Sequence, residues 1–103
     1  MPTARSRLGT YGEGIARDYL KAKGYRVMDS NFRCPWGEVD IVAREGDCLV
    51  FVEVRTRRGS LPYGTPEESL TRKKRDRLVA TAETYIQKCP DPPEEWRIDL
   101  IGV

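Results

Sequence analysis

The sequence contains no histidine, and this absence removes several kinds of site at once. A Ser-His-Asp triad and a Cys-His nucleophile pair both need an imidazole as the base. The three cysteines, Cys34, Cys48 and Cys89, are odd in number and form no Cys-x-x-Cys pair, so a structural zinc site is not expected. Chemistry by this chain would therefore depend on other groups, and carboxylates are the first candidates.

Long apolar runs are also missing. No stretch approaches the about 18 consecutive apolar residues of a transmembrane helix, and the N-terminal residues lack the apolar segment of a signal peptide. We therefore expect a cytoplasmic protein with no membrane partner. The 103 residues are 39% hydrophobic and 33% charged, which predicts a single globular domain spanning residues 1–103.

The net charge of +2 is too small to indicate a nucleic-acid partner, but the basic residues are clustered. Residues 55–58 carry three arginines, and residues 72–77 carry five basic side chains. Such clusters can contact phosphates, although a solvated helix face and a strand exit explain each cluster equally well when it is considered alone.

The periodicity of apolar residues predicts the order α-β-β-β-α-β. The first helix is predicted to carry one apolar stripe that consists of Leu8, Tyr11, Ile15, Tyr19 and Leu20. Thr65-Pro66-Glu67-Glu68 has the chemistry of a helix cap, and Thr71 could equally cap a separate helix, so this region is either one helix or two closely spaced ones. The last strand should lie parallel to the third strand after a right-handed crossover. The predicted elements are a helix over 8–23 ended by Gly24, strands over 25–32, 38–44 and 48–56, a loop over 59–65, a helix that ends before the prolines after Cys89, and a strand over 96–103.

The most informative stretch is GEVDIVAREGDCLVFVEVRTRR, residues 37–58. It alternates like a strand, turns at Gly46-Asp47 and alternates again, which predicts a hairpin with a two-residue turn. That register places Asp40 across from Glu53 and Glu38 across from Arg55. Directly opposed Cβ atoms lie about 4.5–5.5 Å apart, so two facing acids require a compensating partner.

Two partners satisfy this requirement equally well. One is a divalent cation such as Mg²⁺, which prefers one or two carboxylates together with water and phosphate oxygens. The other is Arg55, which would bridge both acids as a structural ion cluster. Glu38 likewise suits either an ion pair with Arg55 or an accessory metal or water contact. Glu13, in the first helix, has an exposed surface position as its simplest interpretation.

The spacing of GEVDIV and EVR resembles the PD-(D/E)xK nuclease signature, and the order of elements is similar to the restriction endonuclease-like core of Holliday-junction resolvases. The chain resembles the UPF0102 (YraN-like) family more closely, through GEGIARDYL, GYRVMDSNFRCPWGEVDIV, LVFVEVRTR, PEESLTRKKRDRL and WRIDLIGV. The resemblance implies a mixed α/β (α+β) fold with a sheet of four to five strands flanked by helices. It also implies a homodimer, because resolvases act as symmetric dimers.

The resemblance further implies a Mg²⁺- or Mn²⁺-dependent nuclease acting on DNA, with branched or single-stranded substrates as candidates. Asp40 and Glu53 would be metal ligands, Glu38 an accessory ligand and Glu13 an added helical acid. Arg55 takes the place of the motif lysine and stays protonated, so it can face a phosphate but cannot act as a general base. The expected contacts to the nucleic-acid backbone are Arg57, Arg58, Lys73, Lys74 and Arg77. The alternative is a nuclease-like fold that binds nucleic acid or another protein without cutting.

Overall fold

The computed structural model describes residues 4–55 and 71–103, with side chains from Tyr11 onward in the first range. The predicted order of elements and the mixed α/β (α+β) fold with two helices are confirmed. Neither described helix is long and apolar enough to cross a membrane. The predicted loop over 59–65 and the cap at Thr65 lie outside the described residues. The elements are α1 (Ala4–Ala22), β1 (Arg26–Cys34), β2 (Gly37–Glu45), β3 (Cys48–Arg55), α2 (Arg72–Gln87) and β4 (Glu95–Gly102).

Within the described ranges the sheet has four strands in the order β1-β2-β3-β4. The β2–β3 hairpin has the predicted two-residue turn, because Glu45 pairs with Cys48 around Gly46-Asp47 and Gly46 has a φ of 60°. Strand β4 pairs with β3 in parallel, as predicted, because α2 carries the chain back along the sheet between them.

Helix α1 ends as predicted but differs from the sequence prediction in two ways. The N–H of Gly24 donates to the Lys21 carbonyl and that of Tyr25 to the Leu20 carbonyl, which is a Schellman motif with Gly24 at a φ of 91°. The helix begins at Ala4, not near residue 8. The predicted apolar stripe is displaced as well, as the side chains of the helix show.

The face of α1 that contacts the sheet consists of Gly12, Ala16 and Leu20. Two of these residues are small, so the helix backbone can approach the strands closely. The aromatic and β-branched residues of the predicted stripe, Tyr11, Ile15 and Tyr19, lie beside that face and remain 39–65% exposed. The prediction that they face the core is wrong.

Helix α2 begins at Arg72, so Thr71 is its cap: the Thr71 hydroxyl accepts a hydrogen bond from the Lys74 N–H at 3.1 Å. The described helix therefore starts after the predicted cap at Thr71. Leu78, Thr81 and Ala82 are buried against the sheet. Thr81 is a polar residue in this interface, and its hydroxyl donates to the Arg77 carbonyl at 2.7 Å, which satisfies it locally.

The core has two halves, one on each face of the sheet, because alternate residues of a strand point to opposite faces. The half beneath α1 contains Ala16, Leu20, Ile41, Ala43, Val50 and Val52. The half beneath α2 contains Val39, Val42, Leu49, Phe51 and Ala82. Strict alternation would put Val39 on the same face as Ile41, but Val39 packs beneath α2, so the alternation of β2 is broken between these two residues.

Candidate functional site

The break in alternation coincides with the end of the pairing between β2 and β3. The recorded pairs run from Glu45–Cys48 to Ile41–Val52 and stop one residue before the predicted Asp40–Glu53 pair. A cleft of about 460 Å³ lies at this end of the hairpin. Its charged lining consists of four cations and three carboxylates: Arg33, Arg55, Lys74, Arg77, Glu38, Asp40 and Glu53.

The carboxylate of Asp40 takes the place of a backbone acceptor in the interrupted ladder. Its Oδ2 accepts a hydrogen bond from the Val54 N–H at 2.7 Å. Burial raises the pKa of Asp40, the Val54 hydrogen bond opposes that rise, and the negative charge of Glu13 adds to it. Asp40 is therefore held firmly in place in surroundings that disfavour its charge.

Glu53 is the more strongly perturbed of the two acids. Burial raises its pKa to about 7, the charge of Asp40 contributes in the same direction, and Arg55 and Lys74 oppose the rise. Its side chain is 20% exposed and opens into the cleft. Two partly desolvated acids at one position gain stability from a cation, and the nearby arginine and lysine compensate them only in part.

The Arg55 guanidinium does not bridge the two acids. Its Nη2 atom lies 3.6 Å from Glu53 Oε1, and among the described residues no ion pair joins it to Asp40. Its Nε and Nη2 atoms are buried, and neither has a hydrogen-bond partner among residues 4–55 and 71–103. Buried N–H groups without an acceptor are costly, so this guanidinium is suited to an anion that enters the cleft.

Glu38 pairs with Arg33 on the neighbouring strand, not with Arg55. Glu38 Oε2 is 3.0 Å from Arg33 Nε, and both side chains are largely exposed at the rim of the cleft. The register of β1 and β2 explains this pair, because Arg33 lies directly across from Glu38, whereas the β2–β3 pairing has already ended. An ion pair between Glu38 and Arg55, one of the two interpretations of Glu38, is therefore not formed.

Of the other residues that were predicted to belong to the site, some line the cleft and some do not. Glu13 on α1 is near enough for its charge to affect Asp40, although it does not line the cleft. Lys74 and Arg77 reach the cleft from the first two turns of α2, whereas Lys73 is exposed and does not line it. Arg57 and Arg58 lie outside the described residues.

Arg33 and Cys34 also line the cleft, and sequence reasoning did not assign either to the site. A usable signal existed, because the short turn at Pro35-Trp36 returns the chain directly and pairs Cys34 with Gly37. Residues before that turn must then lie beside the acids that follow it.

The donor set fits a divalent ion that keeps an open coordination sphere. Asp40 retains its second oxygen after the bond to Val54, and Glu53 adds a carboxylate of which one oxygen lies 3.6 Å from Arg55 Nη2. Among residues 4–55 and 71–103 no group of three or more acidic or cysteine side chains could hold a metal. Mg²⁺ accepts this arrangement, since it commonly takes one or two carboxylates and completes its shell with water and phosphate oxygens.

Comparison with known proteins gives one consistent result. The model of the uncharacterised protein family UPF0102 matches residues 12–103. A UPF0102 protein of Dehalococcoides mccartyi is 48% identical over 99 residues, which are 96% of this chain and 81% of that protein. One from Beutenbergia cavernae is 45% identical over 97% of this chain and 84% of its own length. One from Roseiflexus castenholzii is 46% identical over 100% of this chain and 83% of its own length.

Proposed function

This chain belongs to the UPF0102 family, and we propose that it is a metal-dependent nuclease that hydrolyses phosphodiester bonds in DNA. The observation that carries the proposal is that Asp40 and Glu53 line one cleft together with four cationic side chains, those of Arg33, Arg55, Lys74 and Arg77. Both carboxyl groups have raised pKa values because of burial and of nearby negative charge. A cation that neutralises two acids, inside a cleft suited to an anion, is the arrangement that phosphodiester hydrolysis requires.

In this proposal the free oxygens of Asp40 and Glu53 hold Mg²⁺ or Mn²⁺. The ion supplies a water of lowered pKa and stabilises charge on the phosphate oxygens. Glu38, at the rim of the cleft, would be an accessory contact for the metal or its water, whereas Glu13 would act on Asp40 through its charge. In the metal-free protein Glu53 holds a proton for much of the time at neutral pH, because the pKa of its carboxyl group is about 7.

The Nε and Nη2 atoms of Arg55, which are buried without a hydrogen-bond acceptor in the described part of the chain, would provide the phosphate contact of the proposed site. A guanidinium matches the oxygens of a phosphate in a bidentate manner and stays protonated throughout, so it stabilises charge and does not move a proton. Lys74 and Arg77 extend the contact along the backbone of the substrate from α2. Contacts of this kind give affinity without reading base sequence.

Cleavage assays test the proposal directly. Labelled flap, four-way junction, single-stranded and duplex DNA, with single-stranded RNA beside them, are incubated with Mg²⁺ or Mn²⁺. We expect metal-dependent cleavage that falls to the metal-free level in Asp40→Ala and in Glu53→Ala. Glu45→Ala, which removes an exposed acid at the other end of the same hairpin, is the matched control for contaminating nuclease. Cleavage that survives in both site variants contradicts the assignment.

Metal binding has a signature apart from cleavage. A metal that binds at Glu53 must displace its proton, so calorimetry near pH 6.5 in buffers of different ionisation enthalpy should report proton release. Glu53→Gln has no such proton and should show neither the release nor the same affinity. An unchanged proton release in this variant would place the ion elsewhere.

A second candidate is a module of the same fold that binds nucleic acid or protein without cutting. The approach of Arg55 Nη2 to Glu53 Oε1 at 3.6 Å favours it, because an arginine already supplies part of the charge that an ion would bring. This candidate predicts no heat and no melting shift with millimolar Mn²⁺, together with DNA binding that weakens as salt rises.

A further inference from the structure

The turn between β1 and β2 exposes a large aromatic side chain beside the cleft. Trp36 is 62% exposed, whereas tryptophan is highly buried on average in folded proteins. The residues at the two ends of its turn, Cys34 and Gly37, pair with each other and both line the cleft. Trp36 therefore lies on the turn that borders the candidate active site, with its indole largely exposed to solvent.

This turn is held in position by helix α2. Gly37 has a φ of 153°, and a Cβ atom at this position would lie 3.3 Å from Thr81 Oγ1 and 3.7 Å from the Arg77 Cβ. The absence of a side chain thus lets the turn approach α2 closely. Because β1–β2 pairing holds one side of the turn and α2 the other, Trp36 is presented from a supported backbone.

The chemistry around the indole matches a nucleotide. Arg33 and Arg77, which line the adjacent cleft, offer cationic contacts to phosphate, and the exposed indole offers an apolar face to a base. In a duplex both faces of every internal base are covered by neighbouring bases. An aromatic rim residue consequently gains stacking energy only from a base that is unpaired or displaced.

The position of Trp36 relative to Asp40 indicates which nucleotide it would meet. They are four positions apart along the turn and β2, and an extended chain rises about 3.3 Å per residue, so their backbones are at most about 13 Å apart. The indole would therefore contact a nucleotide displaced from the one whose phosphate lies at the two acids.

We propose that Trp36 is a base-stacking residue that makes this cleft bind single-stranded nucleic acid in preference to duplex. The inference deepens the proposed function by naming the substrate class, and it rests on that function for its biological meaning. The binding itself requires neither a metal nor cleavage.

Tryptophan fluorescence measures the contact directly. The chain has two tryptophans, and Trp96 lies on β4 across from Leu49, towards the turn end of β3 and away from the cleft. In Trp96→Phe, Trp36 is the only tryptophan. Titration with a ten-residue oligothymidylate in EDTA should quench its emission, and an equimolar blunt duplex of the same length should not. The reciprocal variant Trp36→Phe reports from Trp96 and should show no quenching.

Affinity measurements supply the second readout. Trp36→Ala should weaken oligothymidylate binding by about 5- to 150-fold, the range expected for losing one stacked base, and should leave duplex binding unchanged. Trp36→Phe should recover most of the loss. Equal losses for the single strand and the duplex would overturn the inference. The inference would also be overturned if a single strand binds without quenching the emission of Trp36. The exposed indole would then be better explained as a contact for another protein.

The outcomes separate this inference from the proposed function. Quenching by single strands without any metal-dependent cleavage would reject the nuclease function and support Trp36 as a stacking residue. The converse result is also possible. If metal-dependent cleavage is lost in Asp40→Ala but Trp36→Ala keeps the preference for single strands, the nuclease function is supported and the stacking role of Trp36 is rejected.

Discussion

The two ends of the β2–β3 hairpin contrast sharply although they belong to the same pair of strands. From Ile41–Val52 to the turn, backbone groups pair regularly and the apolar side chains of both strands are buried in the two halves of the core. At the opposite end the ladder stops, and the Val54 N–H bonds to the Asp40 carboxylate at 2.7 Å. One end of the hairpin forms the core and the other forms the candidate site.

The contrast shows how a small sheet can support a charged cleft. A regular antiparallel ladder leaves no backbone group for a side chain, so an acid can bind there only where the ladder opens. Opening the ladder loses backbone hydrogen bonds, and the charged side chains that take their place are partly desolvated. The apolar end, anchored by both helices, compensates for that cost within a single unit of structure.

The largest effect should come from weakening the apolar end. Phe51 is fully buried beneath α2, where it packs edge-to-face against Tyr85 and Trp96. Phe51→Ala should lower the free energy of unfolding by about 3–5 kcal/mol through lost burial and a cavity. Urea denaturation measures this. Trp36→Ala removes an exposed aromatic residue and should change the stability by less than about 0.5 kcal/mol.

Removing the charge of Glu53, at the other end of the hairpin, should instead raise the free energy of unfolding in metal-free protein. The pKa of Glu53 rises from 4.5 to about 7 on folding, so the native state binds a proton more tightly than the unfolded chain. Stability is then lost as the pH rises from about 4.5 to about 7, by at most about 3 kcal/mol at 1.36 kcal/mol per pH unit.

Glu53→Gln should remove most of this loss and be the more stable protein at pH 8 in EDTA. Denaturation curves from pH 4.5 to pH 8 measure the difference. Glu45→Gln, at the exposed turn end of the hairpin, is the control and should follow the wild-type profile. A wild-type stability that increases with pH over this interval would contradict the raised pKa.

The next effect concerns the hydrogen bond that replaces the ladder. Asp40→Ala leaves the Val54 N–H without its acceptor, whereas Asp40→Asn retains an amide oxygen at that position. We expect the alanine variant to be less stable than the asparagine variant by about 1–3 kcal/mol in EDTA.

The same pair of variants at the exposed Asp18 of α1 is the control. There the order should reverse by a few tenths of a kcal/mol, because alanine favours a helix more than asparagine does. Equal stability of the two Asp40 variants would mean that the carboxylate does not hold the open end of the hairpin.

The smallest effect should be at the rim. Arg33 and Glu38 form an ion pair at 3.0 Å, but their side chains are 77% and 60% exposed. Arg33→Ala should cost less than about 1 kcal/mol, and the cost should shrink further in high salt. A cost comparable to that of Phe51→Ala would mean that the rim contributes to the fold as much as the apolar end does.

The elements and the hairpin register were predictable because they depend on local patterns. Alternation over residues 48–55 and the Gly46-Asp47 turn determine which side chains share a face, and Gly24 marks the end of α1. The apolar stripe of α1 was placed on the wrong side by size and hydrophobicity. Close packing on the sheet favoured Gly12 and Ala16 over the neighbouring tyrosines.

The candidate site was predictable in its residues but not in their contacts. Spacing alone brought Asp40 and Glu53 to one end of the hairpin. It could not indicate that the ladder stops before them, that Asp40 binds the Val54 N–H, or that Glu38 pairs with Arg33. These contacts depend on how a third strand and a distant helix meet the hairpin.

By itself, then, the sequence determined the order of the elements, the register of the hairpin and the family to which the chain belongs. The order and the register follow from periodicity and turn chemistry within a few residues of one another, whereas the family follows from the match over residues 12–103. Only the tertiary structure decided which acids lose solvent, which buried arginine atoms lack an acceptor among the described residues and which tryptophan lies beside the cleft. Desolvation and unpaired donors arise from elements far apart in the chain, so no local pattern encodes them.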